Sequence, residues 1–123
     1  MGSKKILIAD DSRTFRHLEE QLLKRNGYAL LTAENGAQAV QIAATDLPDL
    51  ILLDLQMPLM DGAKALALLQ STAKTRAIPV VMVTTIGGDQ QREALLAAGA
   101  KKVLVKPLNG PDLLGTLREL LGS

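Results

Sequence analysis

The sequence contains no cysteine, which excludes a disulfide framework and a thiolate zinc site and is compatible with a reducing cytoplasm. Aromatic residues are almost missing as well. Phe15 and Tyr28 are the only two, so the core has to be built from Leu, Ile, Val and Ala, and 47% of the chain is apolar. An excess of one charge is also lacking. Fourteen basic residues stand against 13 acidic ones, a net charge of +1 with no basic run, which argues against direct nucleic-acid or membrane binding. No apolar run approaches transmembrane length, and the N-terminal one is too short for a signal peptide. The 123 residues suit a single domain large enough to bury its own core without staples. Within residues 1–3, Gly2-Ser3 reads either as native sequence or as a remnant of an expression vector.

What is present is a regular alternation. Lys5-Ile-Leu-Ile-Ala-Asp10 is apolar at every inner position, as a strand covered on both faces requires. Ser12 can cap a helix over about Arg13 to Arg25, with Phe15, Leu18 and Leu22 on one face, and Asn26-Gly27 stops it. Tyr28 to Ala33 reads as a second strand. Asn35 to Gln38 has capping-box spacing and opens a helix to about Thr45. Asp49 to Asp54 is the third strand, and Asp61-Gly62 starts a helix to about Ala73 with Leu66 and Leu69 buried. Pro79 to Thr84 is the fourth strand, and Asp89 can cap a helix to about Ala98 that Gly99 ends. Lys102 to Lys106 is the fifth strand, and Pro111 sits in the first turn of a last helix carrying Leu113, Leu114, Leu117, Leu120 and Leu121. Five strand-then-helix units predict an α/β fold: one parallel sheet with right-handed crossovers and helices on both faces. In such sheets function sits beyond the carboxyl ends of the strands.

Those ends carry the chemistry. The first run ends in Asp10-Asp11, the third in Asp54, the fourth in Thr84-Thr85 and the fifth in Lys106-Pro107. Parallel strands place them along one rim. Two carboxylates about 5 Å apart repel by roughly 3 kcal/mol at an effective dielectric of 20. Lys106 offsets part of that, and the remaining acids call for a divalent cation. All-oxygen ligands with room for water favour Mg2+ over zinc. A carboxylate beside a hard cation and a lysine can attack a phosphoryl donor and become an aspartyl phosphate.

Asp10-Asp11, Asp54-Leu-Gln-Met-Pro58-Leu-Met-Asp61-Gly62, Thr84, Gly99-Ala100 and Lys106-Pro107 together resemble the receiver domain of two-component response regulators, in order and over essentially all of residues 1–123. The resemblance implies a flavodoxin-like sheet of order 2-1-3-4-5 with five helices. It implies Mg2+ and phosphoryl transfer to Asp54 from a histidine kinase or a histidine phosphotransfer protein. By position, Asp11, Asp54 and the backbone carbonyl of Gln56 would ligate the metal, and Asp10 would act through a metal-bound water. Lys106 would pair with Asp54 and then with the phosphoryl oxygens, and Thr84 would donate its hydroxyl to the phosphoryl group. The Lys106–Pro107 bond becomes a candidate cis peptide. A downstream protein partner is expected on the fourth and fifth helices, with no catalysis on an external substrate.

The chain departs from that family at Val103, where receivers usually carry Tyr or Phe, so the response to phosphate is expected mainly in the Thr84 to Asp89 loop. Thr85 is expected to narrow access to the phosphoryl group and Gln56 either to orient or to obstruct the hydrolytic water, with slow self-dephosphorylation the expected balance. Asp61 reads as a helix cap, His17 as a solvated helix residue, and Asp11 taken alone would suit a cap as well as a ligand. Two rival readings are a pseudo-receiver with an inert site and an aspartyl-nucleophile phosphatase. The phosphatase reading fits poorly, because Gln56 stands where such enzymes place a second acid. No output domain lies within the 123 residues.

Overall fold

A computed structural model describes residues 3–85 and 87–122. The reading of Gly2 as a vector remnant therefore falls outside the described residues, as does Ile86 within the loop after the fourth strand. Ten elements alternate: β1 (Lys5–Ala9), α1 (Arg13–Arg25), β2 (Ala29–Ala33), α2 (Gly36–Asp46), β3 (Leu50–Asp54), α3 (Gly62–Ser71), β4 (Val80–Thr84), α4 (Asp89–Ala97), β5 (Lys102–Val105) and α5 (Gly110–Leu121). The strands are all parallel, in the order β2-β1-β3-β4-β5.

The unbroken apolar runs are explained by what covers them. Successive strand side chains point to opposite faces. Leu7, Ala9, Ile51, Leu53, Val80 and Met82 join one core with the small, close-packing faces of α2 and α3, where Ala39, Ala43 and Ala65 lie. Ile6, Ile8, Leu50, Leu52 and Val81 join a second core with Leu23 of α1 and Leu113 and Leu117 of α5. Each fully buried Leu or Ile contributes about 1.5–3 kcal/mol relative to exposure. Over β1, β3 and β4 both faces are therefore closed, and only the ends of those strands are free to be polar.

Local signals set the helix starts. The Ser12 hydroxyl accepts from the Phe15 N–H, Asn35 Oδ1 from the Gln38 N–H, and Asp61 Oδ1 from the Lys64 N–H. Gln38 completes its box by accepting from the Glu34 N–H at 2.9 Å. Asp61 is thus a cap, as its spacing implied. Asn109, which the sequence reading passed over, caps α5 through the Asp112 N–H.

Two expectations are corrected. The N-cap of α4 is Gly88, with no side-chain cap bond, and Asp89 lies inside the first turn. There its charge favours the positive end of the helix dipole instead of capping it. In α1 the inward stripe is Phe15, Glu19 and Leu22-Leu23, not Phe15, Leu18 and Leu22; Leu18 is 57% exposed. The stripe follows i, i+4 and i+8 spacing, which leaves Leu18 to one side. His17 is exposed, as expected.

Candidate functional site

Strand register brings the polar ends together. Ala9 pairs with Leu53, so Asp10 stands beside Asp54; Asp54 pairs with Val83 and Thr84 with Val105, which puts Thr84 and Lys106 at the same rim. Backbone bonds continue the ladder past the strands. The Asp10 N–H donates to the Ala33 carbonyl at 3.0 Å, Leu55 to Val83 at 2.8 Å, and Lys106 to Thr84 at 2.8 Å. The Lys106–Pro107 peptide is cis.

The loop after β3 folds back tightly on Asp54. The Gly62 N–H donates to the Leu55 carbonyl at 2.8 Å. A Cβ on Gly62 would run into the backbone carbonyl of Asp54, so only glycine lets α3 start this close to the acid. In the same loop Leu59 holds φ at 67°.

At the centre lies a buried cation among acids. Lys106 Nζ donates to Asp10 Oδ2 at 2.7 Å and lies 3.4 Å from Asp54 Oδ2. It also stands 4.4 Å above the centre of the Phe15 ring, whose face is electron-rich. The sequence had paired Lys106 with Asp54; here its shorter bond is to Asp10. Asp10 is held from three sides: Oδ1 accepts from the Ser12 N–H, Oδ2 from Lys106, and its carbonyl accepts from Arg16 Nη1 at 2.7 Å. Thr84 is buried, and Thr85 is exposed with its hydroxyl 3.5 Å from Gln56 Oε1.

Burial, then the charge of Asp10, raises the Asp54 carboxyl to about 6, against the lowering influence of Lys106. Burial pulls the Lys106 ammonium down, but its hydrogen bond to Asp10 and the charges of Asp10, Asp54 and Glu19 outweigh that and hold it above its ordinary value.

Glu19 is the residue the sequence reading missed. It is buried in α1, and burial followed by the charge of Asp10 raises it to about 8. The available signal was a Glu interrupting the 15-19-23 stripe.

Asp10, Asp11 and Asp54 each place a carboxylate oxygen within 4.8 Å of the other two. Two of these acids are buried and Asp11 is exposed. An all-oxygen set open to water on one side fits a hard divalent cation.

Comparison with known proteins accords with this geometry. Residues 6–118 match the family model described as the response regulator receiver domain. The protein PilH of Pseudomonas aeruginosa is 37% identical over 119 residues, covering 97% of this chain and 98% of PilH. The response regulator PleD of Caulobacter vibrioides is 40% identical over 118 residues, and the match spans only 26% of PleD. Among solved structures, the receiver domain of the sensor histidine kinase PA1611 from Pseudomonas aeruginosa, with magnesium coordinated in its active-site cleft, superposes with a TM-score of 0.91. That match has 29% identity and covers 99% of this chain and all of the other.

Proposed function

The chain belongs to the response regulator receiver domain family, and from that premise we propose that residues 1–123 form one phosphoacceptor switch. Asp54 accepts a phosphoryl group from a histidine kinase or a histidine phosphotransfer protein. The observation that carries this reading is the buried Lys106 ammonium shared between Asp10 and Asp54 beside the three-acid cluster.

Asp11, Asp54 and the backbone carbonyl of Gln56 would hold Mg2+, with Asp10 acting through water. A bound Mg2+ neutralises charge on the incoming phosphoryl oxygens. The chain's own residues do the rest. An Asp54 oxygen is the nucleophile, and the bond from phosphorus to the donor nitrogen breaks as the new bond to oxygen forms. Lys106 moves its hydrogen bonding from Asp10 and Asp54 to the phosphoryl oxygens, where added negative charge attracts it. The Thr84 hydroxyl donates to the same group. Thr85 and Gln56, in contact at the rim, narrow the approach of hydrolytic water, which supports slow self-dephosphorylation.

No external product is turned over, so the domain is a switch and not an enzyme. Its location is cytoplasmic, in keeping with a chain that has no cysteine. The surface of α4 and α5 takes the downstream protein. No described helix is long and apolar enough to cross a membrane. The intact acid set with Thr84 and Lys106 favours this reading over an inert pseudo-receiver.

The test is incubation with Mg2+ and a small phosphodonor, followed by intact mass. One phosphate added to the parent and none to Asp54→Ala is the expected result. An adduct that survives the substitution, or no adduct on the parent, refutes the assignment.

A further inference from the structure

Three groups surround the Lys106 ammonium, and only two of them are acids. An ammonium carries three N–H donors. One bonds Asp10 Oδ2 at 2.7 Å, and a second faces Asp54 Oδ2 at 3.4 Å. On a third side stands the ring of Phe15, its centroid 4.4 Å from Nζ. The lysine side chain is 4% exposed, so its remaining N–H has little water to turn to. The face of an aromatic ring attracts a cation, most strongly where water is excluded.

The ring is placed by the same turn that places Asp10. The Ser12 N–H donates to Asp10 Oδ1 at 2.8 Å, and the Ser12 hydroxyl accepts from the Phe15 N–H at 3.4 Å. Arg16, the next residue of α1, donates to the Asp10 carbonyl at 2.7 Å. Two of the three groups around the ammonium are therefore set by one short segment. Phe15 also borders an apolar cleft with Leu22 and Leu108. Packing there accounts for a bulky apolar side chain, which a leucine would also supply. It does not account for a ring face set over a cation.

What the ring adds is attraction without charge. Asp10, Asp11 and Asp54 already bring three carboxylates within 4.8 Å of one another. A further carboxylate on the third side of Lys106 would hold the ammonium too, but it would repel the oxygens of an arriving phosphoryl group. It would also keep a hydrogen bond that Lys106 has to break. The ring does neither. We propose that Phe15 is a positioning residue: its ring pins the Lys106 ammonium in the gap between Asp10 and Asp54, within reach of the phosphoryl oxygens, and adds no negative charge to the acceptor. The hold on the ammonium stands on the geometry alone; its use in transfer rests on the phosphoacceptor reading.

Phe15 is the chain's only phenylalanine, so global replacement of phenylalanine by its mono-, di- and trifluorinated analogues changes this ring alone. Fluorine drains negative charge from the ring face and leaves the shape nearly unchanged. The first readout is exchange of the Lys106 ammonium protons with water, followed by NMR of the whole chain without Mg2+ or phosphodonor. Exchange should quicken stepwise along the series, by about five-fold at the trifluoro end. Phe15→Leu, apolar but without a π face, should exchange at least as fast. Exchange that ignores the fluorine content, or a Phe15→Leu rate equal to the parent's, overturns the proposal and leaves Phe15 a packing residue. The second readout is the rate of phosphorylation by a small donor in Mg2+, which should fall in the same order. A rate that ignores the series overturns the ring's use in transfer. A parent that takes no phosphoryl group at all refutes the phosphoacceptor reading, and the exchange series still decides the hold on Lys106.

Discussion

At the β1–β3 end of the rim every position of β3, and all but the first of β1, is buried, and Asp10 and Asp54 both meet the ammonium of Lys106, which reaches across from the end of β5. At the β4–β5 end the last strand is only partly buried, and Val105 is 49% exposed. There Gly87 and Gly88 lead into α4, whose only buried residue is Leu95. A cavity of about 230 Å3 lies there between Thr84, Gln91, Val103 and Val105. Charges that repel must be held in place, and close packing does so. A segment that is to move on phosphorylation must be cheap to move, and weak packing makes it so. On the proposed function, the two ends divide acceptance from response.

Cutting the tight end should cost most. Lys106→Ala leaves two buried carboxylates uncompensated, and a loss of about 3 kcal/mol is expected in urea unfolding at pH 7 without Mg2+. Phosphorylation by a small donor should fall about 100-fold or more, as removal of a preorganised charge-stabilising group does. Thr84→Ala, at the loose end, should cost about ten-fold in the same assay and little stability. Equal losses would erase the distinction between the ends.

The next effect is set by pH. Glu19 is raised from 4.5 to about 8, so the native state keeps a proton that the unfolded chain releases. Its contribution is full below pH 4.5 and is lost as pH rises toward about 8. Asp54, raised to about 6, adds a slope of the same sign at lower pH. Stability of the parent should therefore decline between pH 5 and 8, by on the order of 3 kcal/mol from Glu19. Glu19→Leu should flatten that decline and exceed the parent at pH 8. Urea midpoints at pH 5, 7 and 8 decide it; parallel pH profiles would show that Glu19 does not titrate as a buried group.

The smallest effect separates the two ends most finely. With a phosphoryl mimic and Mg2+, amide shifts should concentrate between Thr84 and Asp89 and stay small along β5 and α5. Val103→Tyr, which places an aromatic ring against the cavity, should spread them into β5. Shifts already equal across both regions in the parent would dissolve the comparison.

Much of this was legible in the chain. Apolar runs that end on a charge mark buried parallel strands whose polar ends must meet somewhere, and three of them, ending at Asp10, Asp54 and Lys106, with a fourth ending at Thr84, marked the rim and its acids. Asn35 and Asp61 announced their helices because capping is local. Glu19 was hidden for the opposite reason: it lies opposite the distant segment at Pro107 and Leu108, on a stripe that takes in Leu23 and leaves out Leu18. The choice between Asp10 and Asp54 for the short bond to Lys106 is likewise set by three-dimensional distance, which spacing along the chain does not encode.

The glycine at position 62 carries a consequence for how this chain can vary. Its amide closes the loop onto Leu55, and its missing side chain leaves room for the carbonyl of Asp54. The segment from Asp54 to Gly62 is thus a closed hoop with no slack. Insertions that surface loops elsewhere absorb for a few tenths of a kcal/mol would here be passed straight to the orientation of the Asp54 carboxylate. Length in this loop is as constrained as chemistry, so the hoop has to be inherited whole or replaced whole.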